Sequence, residues 1–192
     1  MPDREPVVIV YPAAGSVFYE DLARRLATAC GEISRKAVLR SPTEVLDMHE
    51  DQLNSKTVMI VNPWACMNKI GNSEKFFSRL SAARERIMVL AEAVGIKWFE
   101  RQFELPLQYD MLLDVGFVSQ EDKLRDSGVP YRFLFNGPDL REERMIAGSE
   151  PFRRTMPWAL LGYTREVRAR IVAELMEKLG PAASCSCPAS TW

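Results

Sequence analysis

Three runs in this chain, Val7-Val8-Ile9-Val10-Tyr11, Thr57-Val58-Met59-Ile60-Val61 and Arg86-Ile87-Met88-Val89-Leu90-Ala91, are apolar almost residue for residue and rich in β-branched side chains. A half-exposed strand alternates polar with apolar positions, because successive side chains point to opposite faces. A run without that alternation is a strand covered on both faces, the pattern of a parallel sheet enclosed between helices. Parallel neighbours cannot be joined by a tight hairpin; they need a crossover, most often a helix. The intervals between the runs therefore have to supply helices.

They carry the signals. Pro12-Ala13-Ala14-Gly15-Ser16 breaks the chain after the first run, and Ser16 stands where it caps a helix with Phe18, Leu22, Leu26 and Cys30 recurring every four residues and Gly31 as its stop. A short strand at Ala37-Val38-Leu39 precedes Ser41-Pro42-Thr43-Glu44, a capping box with a first-turn proline. Val45, Leu46, His49 and Leu53 share the inner side of the helix that follows, which makes His49 a packing residue. Pro63 cannot donate to a ladder, so the third run ends at Asn62-Pro63-Trp64 in a loop. Asn72 or Ser73 opens a helix with Phe76, Phe77, Leu80 and Ala83 inward, ahead of the run at Arg86. The order β-α-β-α-β-α-β predicts an α/β fold, a Rossmann-like three-layer sandwich on a mostly parallel sheet.

The second half continues with a helix near Lys97 to Glu104, strands at Met111 to Val115 and Tyr131 to Phe135, a strand at Trp158 to Gly162, and a helix from Thr164 with Val167, Ile171, Leu175 and Leu179 spaced by four. Gly180-Pro181 closes it, and residues 181–192, rich in Ser, Pro and Ala without apolar period, read as a disordered tail. The expectation is one domain over 1–180 followed by that tail. A chain of 192 residues buries enough surface to need neither disulfide nor metal.

Composition excludes several classes. With Lys+Arg 25 against Asp+Glu 26, a net charge of −1 supplies no field for phosphate backbones, so nucleic acid is not an expected partner. No apolar stretch approaches the ~20 residues of a transmembrane helix, and the N-terminus is too acidic and its apolar run too short for a signal peptide. A cytoplasmic location is expected. Cys30, Cys66, Cys185 and Cys187 form no C-x-x-C pair and His49 is the single histidine, so no metal site and no Ser/His/Asp or Cys/His arrangement is expected.

In an open parallel sheet ligands gather beyond the carboxyl ends of the strands. The loop after the first strand holds one glycine, Gly15, and matches neither phosphate-loop pattern; it serves a tight turn or a ligand contact, with Ser16 beside it. After the third strand Asn62 and Trp64, with Cys66 and Asn68, offer an indole among amides, suited to a sugar ring or to covering the sheet edge. Glu92 follows the fourth strand, where a carboxylate acts as a general base, accepts sugar hydroxyls, caps the next helix or pairs with Lys97. Asp114 and Asn136 each sit at a strand end, in contact with a ligand or as ordinary turn formers.

The runs Glu92 to Trp98, Tyr109-Asp110 through Asp114-Val115-Gly116-Phe117-Val118-Ser119-Gln120, Pro130 through Tyr131-Arg132-Phe133-Leu134-Phe135 to Asn136-Gly137-Pro138, and Pro157 to Gly162 resemble the N-terminal half of bacterial glycosyltransferases of the GT-B fold, a likeness covering roughly Val7 to Leu179. The resemblance implies an acceptor-binding Rossmann-like domain facing a second one that binds the nucleotide-sugar donor, with no metal or other cofactor held by the first. On that reading the residues at the strand ends would form the site, with Gly15, Ser16, Asn62, Trp64, Asp114 and Asn136 as acceptor contacts and Glu92 as the base or as an acceptor of hydroxyl hydrogen bonds. The chain departs from the pattern by stopping where the donor domain would begin, so the donor is expected on a missing domain or separate subunit, and the domain alone is expected to be inactive. A rival reading is a non-catalytic interaction or small-molecule-binding module, signalled by exposed Trp64, Trp98 or Phe117. A dinucleotide oxidoreductase is disfavoured by the lone loop glycine and by Arg40 at the end of the second strand.

Overall fold

The computed structural model describes residues 5–13, 17–92, 97–115 and 121–134, with short helical pieces at 148, 173–174 and 177–178. The chain divides into two compact units, 1–139 and 140–192, and the sheet belongs to the first. The strand expected at Trp158, the helix expected from Thr164 and the tail 181–192 lie outside the described residues, apart from those helical pieces.

The elements run β1 (Val7–Val10), α1 (Val17–Glu32), β2 (Ala37–Arg40), α2 (Pro42–Asp47), a 3-10 turn (Glu50–Gln52), β3 (Thr57–Val61), α3 (Pro63–Met67), α4 (Ser73–Ser81), β4 (Glu85–Leu90), α5 (Lys97–Gln102), β5 (Met111–Asp114), α6 (Glu121–Asp126) and β6 (Tyr131–Phe133). The strands form one six-stranded sheet in the order β2-β1-β3-β4-β5-β6. Every pairing is parallel. This is the α/β, Rossmann-like three-layer architecture that the unalternating runs require.

Strand alternation splits the core into two layers. Val7, Ile9, Val61 and Val89 pack with Leu22, Ala23, Leu26 and Cys30 of α1. On the opposite face Val8, Val10, Val58 and Ile60 meet Val45 of α2 and Phe76, Phe77 and Leu80 of α4. Met88, Leu90 and Leu112 meet Phe99 of α5 and Leu124 of α6. Each fully buried Val, Leu, Ile, Phe or Met among them contributes about 1.5–3 kcal/mol of hydrophobic stabilisation before the entropy of ordering it. The capping box forms as its residues dictate: the Glu44 N–H donates to Ser41 Oγ (3.2 Å) and the Ser41 N–H to Glu44 Oε2 (2.7 Å). Those bonds hold the Glu44 carboxyl below its ordinary range.

Four expectations are corrected. Phe18 is exposed at the start of α1 instead of facing inward. Gly31 does not stop α1, which runs on to Glu32; the stop is Ser34, in the left-handed region at φ 57°. There the Ser34 N–H donates to the Gly31 carbonyl and the Arg35 N–H to that of Cys30, both at 2.9 Å, a Schellman closure. His49 is exposed, because Met48 adopts an extended conformation (ψ 145°) that ends α2 before the four-residue spacing reaches it. And the stretch after β3 is a short helix, α3, because Pro63 falls at a first-turn position where its missing N–H costs nothing.

At the amino ends of the strands, the Asp110 carboxylate accepts the backbone N–H of Arg86 (2.8 Å) and two bonds from its guanidinium (3.1 and 3.3 Å), joining the starts of β4 and β5. Partial burial works to raise the Asp110 carboxyl, but these bonds and the Arg86 charge outweigh it and hold it below the ordinary carboxylate range.

Candidate functional site

The chain leaves β1 for β2 on one side, then returns past β1 to β3 and continues outward to β6. Between β1 and β3 the direction of winding reverses, and the helices that follow these two strands pack on opposite faces of the sheet. In this architecture ligands usually lie at such a reversal, beyond the carboxyl ends of the strands.

Asn62 stands at that reversal, immediately after β3. Its N–H extends the ladder to the Val89 carbonyl (3.0 Å) and its backbone turns left-handed (φ 47°, ψ 74°). Asparagine tolerates this region better than other residues with a Cβ. The side chain is 1% exposed and fully committed. Its Oδ1 accepts the Ala65 N–H (3.1 Å), capping α3, which turns Nδ2 toward the Tyr19 hydroxyl (2.6 Å) and Glu92 Oε1 (3.2 Å). Tyr19, in the first turn of α1, donates its hydroxyl proton to the same Glu92 oxygen. Three chain segments thus meet: the start of α1, the β3–α3 junction and the end of β4.

Both donors converge on Oε1 of Glu92, while Oε2 makes no hydrogen bond among the described residues. Burial, then the hydrogen bond and negative charge of Glu92, push the Tyr19 hydroxyl well above its ordinary value, against a smaller opposing effect of the Asn62 bond. Tyr19 is therefore a permanent donor at any physiological pH. A half-buried carboxylate with one oxygen fixed and the other open accepts a hydrogen bond from a ligand hydroxyl or takes its proton.

The other sequence-derived residues fall variously. Trp64, in α3, is half-buried: the Arg101 guanidinium lies 4.7 Å from its ring centre and the Trp98 ring 6.3 Å away, so its indole forms the contact between α3 and α5. Its Nε1, like both amide atoms of fully buried Gln102 in α5, has no hydrogen-bond partner among the described residues. Asp114 ends β5 at 1% exposure, aligned with Leu90, two residues before Glu92 on the neighbouring strand. Cys66 is buried, its thiol pushed up by burial and 3.4 Å from the Val61 carbonyl, which makes it an unreactive packing group. Gly15, Ser16 and Asn136 lie outside the described residues. Among the described residues no three His, Cys, Asp or Glu side chains gather to hold a metal ion, and no helix is long and apolar enough to cross a membrane.

Asn62 and Glu92 are brought together; Tyr19, which joins them, carries no sequence signal. It sits beside the apolar stripe of α1 and looks like one more helix residue until the first turn of α1 is placed against the end of β3. Comparison with models of known families, with curated proteins and with solved structures finds no match to this chain.

Proposed function

We propose that the crevice between β1 and β3 binds a hydroxyl-bearing small molecule, a sugar or similar acceptor, and that the chain serves as the acceptor-side domain of a GT-B-type glycosyltransferase, with the nucleotide-sugar donor held by another domain or subunit. The observation that supports this reading is the Glu92 carboxylate, two residues beyond β4, with Oε1 engaged by Tyr19 and Asn62 and Oε2 making no hydrogen bond among the described residues. In the proposed reaction Oε2 takes the proton of the acceptor hydroxyl as the acceptor oxygen bonds to the anomeric carbon of the donor sugar and the bond from that carbon to the phosphate breaks, the nucleotide leaving with its phosphate, while Tyr19 and Asn62 keep the carboxylate in place.

Amide NMR titration with methyl glycosides tests the binding step. The expected outcome is weak affinity, around a millimolar Kd, with shifts grouped at Tyr19, Asn62 and Glu92, weakened about tenfold or more by Glu92→Gln. Micromolar binding of a nucleotide sugar in the same crevice would overturn the acceptor-side assignment. A second reading, a non-catalytic interaction module, is favoured by one observation: Trp98 is 49% exposed at the same rim. That reading expects a spectrum unmoved by every glycoside.

A further inference from the structure

Five large hydrophobic side chains stand exposed among the described residues: Val17, Phe18, Ile33, Trp98 and Phe133. Four of them lie at the carboxyl rim of the sheet. Val17 and Phe18 begin α1, Trp98 is the second residue of α5, and Phe133 ends β6. Scattered exposed hydrophobics are ordinary, and Phe133 on the edge strand β6 is one of these; Val17, Phe18 and Trp98 instead begin the helices that follow β1 and β4, whose ends the Tyr19–Glu92 bond joins.

These side chains adjoin the polar trio. The Phe18 ring sits edge-on to Tyr19 at 5.5 Å, and the Trp98 ring lies 6.3 Å from Trp64, two residues beyond Asn62. The carboxylate whose second oxygen makes no hydrogen bond among the described residues thus belongs to a trio in which the Tyr19 ring packs on Phe18 and Asn62 precedes the Trp64 that packs on Trp98. An apolar protein surface pressed onto this rim would bury the carboxylate oxygen without a donor, which is costly. A purely polar sugar would leave Phe18 and Trp98 in water. The occupant that satisfies both has a hydroxylated head and an apolar body.

We infer that the ligand of this crevice is a neutral amphiphile, a hydroxylated ring carrying an alkyl or aryl group, with its hydroxyls on Glu92 and its apolar part against Phe18 and Trp98. The inference rests on the acceptor reading above and narrows it.

Octyl β-glucoside below its micelle concentration, compared with methyl β-glucoside, tests it by NMR titration of the full chain and of the variants Phe18→Ser, Trp98→Ser and Glu92→Gln. The first two replace exposed side chains and the third is isosteric, and thermal melts confirm that each is folded. The expected result is octyl glucoside bound at least about tenfold more tightly than methyl glucoside, with that advantage reduced in Phe18→Ser and Trp98→Ser and both ligands weakened in Glu92→Gln. Equal binding of the two glycosides would overturn the amphiphile while leaving the sugar reading standing. Tight octyl binding indifferent to Glu92→Gln would overturn it in favour of a merely apolar docking surface. Binding of neither would remove the acceptor reading and this inference with it.

Discussion

Asn62 performs four tasks with one side chain and one peptide unit: it extends the ladder, takes a left-handed turn, caps α3 and donates to the Tyr19–Glu92 pair. Asn62→Asp isolates one of them. It preserves the capping oxygen but replaces the donor facing Glu92 Oε1 by a second carboxylate, so one of the two carboxyls is forced up in pKa. A group whose folded value is raised above its unfolded value, here ~3.9 for aspartate, loses stability as pH climbs through that interval. The variant should be about 2 kcal/mol less stable than wild type at pH 7, the gap closing below about pH 4; urea unfolding across that range measures it. Asn62 and Glu92 could be picked out beforehand because strand ends in parallel sheets are where ligands sit. Tyr19 could not, since its part depends on a contact across 73 residues of sequence, which no local pattern encodes.

At the level of elements, amino-terminal caps were the most readable signals, and breakers and short helices the least. The capping box at Ser41 and the Asn72 cap of α4 formed as their side-chain chemistry demands. The helix α6 went unforeseen because Leu124 is its single buried residue, too little for a period to show. The end of α1 was misjudged by three residues, since Gly31 looked like the natural left-handed stop and Ser34 takes that place instead. The misreading exposes a strained position. A residue with a Cβ in the left-handed region costs about 1 kcal/mol relative to glycine, so Ser34→Gly should raise thermal stability by up to about that amount. Calorimetry would register it as a Tm increase of a few degrees.

For the molecule as a whole, the architecture followed from three unalternating runs, whereas the strand order, and with it the position of the crevice, needed the structure. Parallel strands leave their two rims chemically unlike: the candidate site occupies the carboxyl rim, while the opposite rim carries the Arg86–Asp110 clamp between β4 and β5. Because the Asp110 carboxyl is held low, its contribution is present above its unfolded pKa of ~3.9 and disappears as pH falls through the lower folded value. Asp110→Asn should therefore lower stability near neutrality by up to about 1 kcal/mol, discounted for solvent exposure, and should match wild type in strong acid. Paired melts at pH 7 and pH 2.5 check the sign.

The order of the sheet also bears on how the chain reaches it. β1 precedes both of its neighbours, β2 and β3, in the chain, so its second edge stays unpaired until residue 58 and beyond have arrived. Among the described residues no pair of adjacent strands is closed by a local hairpin, and each pairing waits for a loop to be drawn shut, which slows the search for the native state. During that interval the most apolar segment of the protein is bare along one side, and a nascent chain stalled before β3 would offer it to other chains as a template.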